Sequence, residues 1–273
     1  MQVPESPLVE SMNRLLRVFH RSALDSSQEN IHDLRVALRR CRTLAGCLSE
    51  FRPNPLLRKV SRESKKLFQG LAGLRELHVR IEWVIRLLPA RDAAARQRLK
   101  ELRSREQKIN SRIDRILDDF DVAHWKQLRD RIESRRLDRD LKMKQAARIS
   151  LERLRECQKL HRQAMGTLQE KNWHRLRIAF KRFRYFTAEF LPVKSQPAES
   201  ELKRIQDDLG EANDLAELRI YLCRYFGKPA AVPQTWQRKI IREREKRLQE
   251  YGRFQSGNRR FKKWAEKISL LTG

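Results

Sequence analysis

The chain has 273 residues, 62 of them Lys or Arg and 35 Asp or Glu, for a formal net charge of +27. Such an excess is self-repelling without counterions or a strongly acidic partner. A hydrophobic content of 40% against 36% charged excludes wholesale disorder, and no run of about eighteen uncharged apolar residues offers a membrane span.

Glycine and proline, nine each, cluster at what read as element boundaries: Pro4 and Pro7, Pro53 and Pro55, Pro89, Pro192 and Pro197, Pro229 and Pro233. Helical periodicity between them predicts an all-α chain with helices near 7–25, 29–51, 55–88, 91–136, 139–171, 172–191, 198–226 and 234–271. The fourth carries turn signals around Asp118 to Trp125 and the last around Gly252 to Asn258. The opening M-Q-V-P-E-S-P lacks a basic stretch followed by an apolar one, so the expectation is a soluble, cytosolic protein. Cys41, Cys47, Cys157 and Cys223 show no C-x-x-C pairing, and Cys41 and Cys47 should lie about 9 Å apart along one helix. That is too far for a disulfide, so reduced, partly buried thiols are expected.

One cationic pattern occurs twice. H-D-L-R-V-A-L-R-R-C-R begins at His32 and H-R-L-R-I-A-F-K-R-F-R begins at His174, 142 positions later. At roughly 100° per residue, His32, Arg35, Arg39 and Arg42 fall within an arc of about 80°, and His174, Arg177, Lys181 and Arg184 repeat it. Leu34, Leu38, Cys41, Ala45 and Leu48 occupy the neighbouring face, as do Leu176, Phe180, Phe183 and Phe190 in the second copy. Each basic row therefore borders the core. The phenylalanines at 180, 183, 186 and 190 share the apolar face and read as core rather than as a stacking platform.

The repeat continues. K-K-L-F-Q-G-L-A-G-L-R-E-L, from Lys65, aligns with K-R-I-Q-D-D-L-G-E-A-N-D-L, from Lys203, at an offset of 138. Two related halves follow, 1–138 and 139–273, each a four-helix bundle with short antiparallel connections.

These residues carry a resemblance. H-x-L-R-[VI]-A-x-[RK]-R-x-R followed at a distance by L-G-E-A-N-D-L resembles the CHAD family, the conserved histidine α-helical domain, across nearly the whole chain. The resemblance implies an all-α fold of two pseudosymmetric four-helix bundles with a basic central groove or pore that binds inorganic polyphosphate. It also implies no catalysis, no cofactor and no metal. It places the binding groups at His32, Arg35, Arg39, Arg40 and Arg42, and at His174, Arg177, Lys181, Arg182 and Arg184, with Lys65, Lys66, Lys203 and Arg204 added less firmly. The second copy keeps the family's Leu209, Gly210, Asn213 and Asp214, whereas the first has Ala72 for the glycine and Glu76 for the aspartate. Many members of the family carry a triphosphate-tunnel (CYTH) domain marked by E-x-E-x-K. The nearest string here, E-R-E-K-R from Glu243, sits in a basic helical run, and a stand-alone helical domain is expected.

A baseless polyanion suits such a site, because Arg forks meet two phosphate oxygens at once and Lys181 adds a pliable point charge. His32 and His174 either contact the anion, gaining in mild acid, or hold neighbouring helices by hydrogen bonds. The rival reading is binding to an RNA or DNA backbone, which the charge alone equally permits. A phosphoanhydride-cleaving enzyme would need carboxylates for metal, and the stripes hold none. The expected partner is polyphosphate, with placement on polyphosphate granules, no membrane, and an open oligomeric state.

Overall fold

The computed structural model describes residues 6–88, 91–137, 142–167, 169–255 and 259–272. Among them are eleven α-helices, two short 3₁₀ turns and no strand, so the all-α class holds. The boundary placed at 138 and 139, and Pro89, lie outside the described residues. The chain divides into two units, one made of residues 1–79 with 98–142 and the other of 80–97 with 143–273.

In the first unit, α1 (Pro7–Leu24) starts where Ser6 Oγ accepts from the Val9 N–H at 3.2 Å and Pro7 supplies a preset first turn. α2 (Gln28–Phe51) carries the first basic row, and α3 (Pro55–Gly70) begins the same way as α1, with Asn54 Oδ1 capping the Leu56 N–H at 2.8 Å. α1 packs on α2, and α2 on α3, as antiparallel neighbours joined by short turns. Leu8, Met12, Leu15, Leu34, Leu38 and Cys41 are buried among them. α6 (Val122–Ser134), capped by Asp121, closes against α1 and α3 through Trp125, Leu128 and Ile132.

The predicted helix at 55–88 is in fact two: α3 ends at Gly70 and α4 (Ala72–Leu87) begins after Leu71. A Cβ at Gly70 would lie 3.2 Å from Ile116 Cδ1 of α5 (Ala93–Asp118), a contact tight enough that the isoleucine side chain would have to shift by a few tenths of an ångström. The predicted helix at 91–136 likewise divides into α5 and α6 within its turn-signal region. Eight predicted helices become eleven through these two breaks and one near the C-terminus.

In the second unit, α7 (Met143–Met165), α8 (Glu170–Phe190), α9 (Glu199–Tyr225), α10 (Gln234–Phe254) and α11 (Arg259–Ser269) surround an aromatic core. Phe180, Phe183 and Phe186 are buried as the apolar face requires, beside Tyr251, Phe261 and Trp264. Residues 80–97 are tied into this unit by polar contacts. Trp236 Nε1 donates to Asp92 Oδ2 at 2.9 Å, Lys239 Nζ to the Leu87 carbonyl at 3.2 Å, and the Arg80 guanidinium stacks 4.3 Å from the Tyr221 ring centroid. The helix predicted over 234–271 is broken beyond Phe254, so α10 runs through Gly252 before it ends. The four cysteines are free thiols, three of them buried.

Candidate functional site

The first basic row lies on α2, whose opposite edge is committed to the core. His32 is exposed, Arg39, Arg40 and Arg42 are half-buried, and Arg35 is only 7% exposed. A guanidinium that deep needs compensation. Arg35 Nη1 donates to the Phe68 carbonyl at 2.9 Å, and its guanidinium lies 4.1 Å from the Phe68 ring centroid. Arg39 lies 5.3 Å from the same ring. Phe68, near the end of α3, is thus a shelf under two members of the row. Burial, then the Arg39 charge, pushes the Arg35 guanidinium down to about 10 against the pull of Glu76, with Arg75 also opposing it, so it remains charged at neutral pH.

His32 belongs to the same cluster. Although its outer surface is exposed, loss of water on its inner side, then the charges of Arg75, Arg39 and Arg35, lowers its imidazole below 6.5 against the attraction of Asp33. Asp33 itself pairs with Arg21 of α1 at 3.1 Å. Lys65 and Lys66 are exposed on α3, and the Arg42 carbonyl accepts from Ser61 Oγ at 3.4 Å, fixing α3 against the far end of the row.

The second row, on α8, is held by α9 in a different way. His174 Nδ1 donates to Asn213 Oδ1 at 2.8 Å, which sets the imidazole tautomer and ties the histidine to the L-G-E-A-N-D segment. Arg184 donates to Gln206 Oε1 at 2.8 Å and pairs with Glu199 at 3.1 Å. Arg177 and Lys181 are half-buried between these ends, while Arg182, Lys203 and Arg204 are exposed. Arg204 stacks 4.3 Å from the Phe254 centroid, and Arg260 lies 3.7 Å from the same ring. A cleft of about 210 Å³ opens at the start of α8, lined by Trp173, His174, Leu209, Asn213 and Arg244 among others.

Several of these supports are absent from the sequence reading. Phe68 aligns with Gln206 in the offset of 138, so one repeat position braces Arg35 and Arg39 in the first copy and Arg184 in the second. Phe254 and Glu199 lie outside both quoted motifs, and periodicity cannot pair them with a cation on another helix.

Two helices, α2 and α8, each carry a row of basic side chains, and each row is braced by the helix that follows. The sequence matches the CHAD domain over residues 12–223, and the chain belongs to the CHAD family. The CHAD domain is associated with polyphosphate binding. No curated protein matches the sequence. No described helix is long and apolar enough to cross a membrane.

Proposed function

We propose that this chain is a non-catalytic receptor for inorganic polyphosphate, and that it reaches polyphosphate granules through that binding. The observation that carries the reading is the duplicated basic row, His32 to Arg42 on α2 and His174 to Arg184 on α8, in a member of the CHAD family. Polyphosphate presents one anionic oxygen after another with no bases, and the rows offer cations in helical register with their aromatic residues turned to the core. Phe180, Phe183 and Phe186 are buried, which disfavours the rival reading of a single-stranded nucleic acid stacked on exposed rings.

Binding to long-chain polyphosphate should weaken steeply as salt rises. Changing Arg39, Lys181 and Arg182 together to glutamine should lower the slope of log affinity against log salt by about two to three while leaving helical content unchanged. Arg35 is left in place because it is buried on Phe68. Competition against single-stranded RNA at matched phosphate concentration separates the readings. Displacement of polyphosphate by RNA would defeat this one.

A further inference from the structure

The two copies differ at the residue opposite the histidine. In the second copy His174 donates to Asn213, whereas the residue in register with Asn213 in the first copy is Arg75. Arg75 stands close enough to His32 and Arg35 to bias the protonation of both. In the first unit His32, Arg35 and Arg39 follow one another along one edge of α2, Arg35 and Arg39 lie over the Phe68 ring, and the Arg75 charge acts on both His32 and Arg35. Two carboxylates stand nearby: Asp33 is paired with Arg21, and Glu76 lies beside Arg35. Like charges held this tightly raise the free energy of the empty site, and an anion bringing two charges to one point relieves more of it than an anion bringing one.

A linear polyphosphate has such points at its ends. An interior phosphate carries one negative charge, whereas a terminal phosphoryl group has a second ionisable oxygen, which in a phosphomonoester titrates near about 6. We propose that His32, Arg35, Arg39 and Arg75 form a seat for the terminal phosphoryl group of the chain, so that bound polymer has its end in the first unit. The histidine and the three guanidiniums supply enough donors to engage all three terminal oxygens. The second copy has neutral Asn213 at the corresponding place and lacks this fourth cation. This proposal rests on the polyphosphate reading above.

The test compares short linear polyphosphate with free ends against the same chains whose ends have been converted to phosphoramidates, which removes the second terminal charge. The wild-type protein should bind the free-ended chain about tenfold more tightly, the value of one added charge-assisted contact. Arg75→Asn installs the residue the second copy already uses and should bring the ratio of the two affinities close to one. Arg75→Lys should preserve much of it. His32→Gln, at an exposed side chain, should also reduce the ratio if Arg75→Asn fails to fold. Equal binding of the two chains by wild type overturns the terminal seat and leaves the polyphosphate reading standing, and so does a ratio that survives Arg75→Asn or His32→Gln. Binding of neither chain overturns both.

Discussion

Replacing Phe68 with leucine would remove the aromatic face under Arg35 and Arg39 while keeping an apolar side chain of similar reach. Arg35 is almost fully buried and 4.1 Å from the ring centroid, so its loss should approach the upper end of the cation–π range, about 2 kcal/mol. Arg39 is half-buried and 5.3 Å away, near the limit of the interaction, and should contribute about 0.5 kcal/mol. Leucine restores part of the packing, which leaves a net loss of about 1 to 2 kcal/mol. The Arg35 bond to the backbone carbonyl of residue 68 survives the change. Urea unfolding followed by helical circular dichroism should show a lower midpoint with an unchanged slope. Because the two guanidiniums lose their fixed position, polyphosphate affinity should fall about tenfold as the ordering cost moves to the binding step. Unchanged stability together with unchanged affinity would refute the shelf as a bracing device. Tighter binding would show instead that Phe68 sequesters Arg35 from the ligand.

Two glycine substitutions should differ in effect. Gly210→Ala, inside α9 with open space around it, should stabilise by about 0.5 to 1 kcal/mol, whereas Gly70→Ala sets a methyl 3.2 Å from Ile116 Cδ1, which must shift by a few tenths of an ångström, and should fall short of that gain, both read from urea midpoints. Burial, with the Arg162 charge behind it, lowers the His161 imidazole below 6.5 where it bonds Tyr251 at 2.8 Å. The unfolded chain takes up a proton near 6.5 while the folded residue stays neutral, so stability should hold above that pH and decline as the pH falls below it. His161→Asn should flatten that decline in midpoints measured from neutral to mildly acidic solution, with a residual slope from His32, which is shifted the same way.

The helices bearing the rows were legible because their apolar and basic residues keep one angular register: α2 and α8 start and stop within two residues of where the pattern places them. The apolar face carried the core assignments of Leu34, Leu38, Phe180 and Phe183 for the same reason. The division of the predicted 55–88 helix was not legible. Gly70 and Gly73 are individually tolerable in a helix, so neither marks the break at Leu71 by itself. Arg35 shows a further limit of periodicity. A helical wheel places it beside Arg39 on the rim of the apolar face, but only the position of Phe68 makes it buried while Arg39 stays half-buried. The brace of His174 was closer to hand, since Asn213 stands in the quoted L-G-E-A-N-D string, yet which group it bonds depends on how α8 lies along α9.

The helix α4 belongs to both units: its residues through Val79 count with the first, and those from Arg80 onward with the second. Severing the polypeptide once near its midpoint would strand Asp92 and Leu87 on the wrong fragment and rob Trp236 and Lys239 of their acceptors. The sequence duplication is thus not a pair of interchangeable parts. Residues 80–97 pack with the second unit although residues 98–142, which follow them, belong to the first.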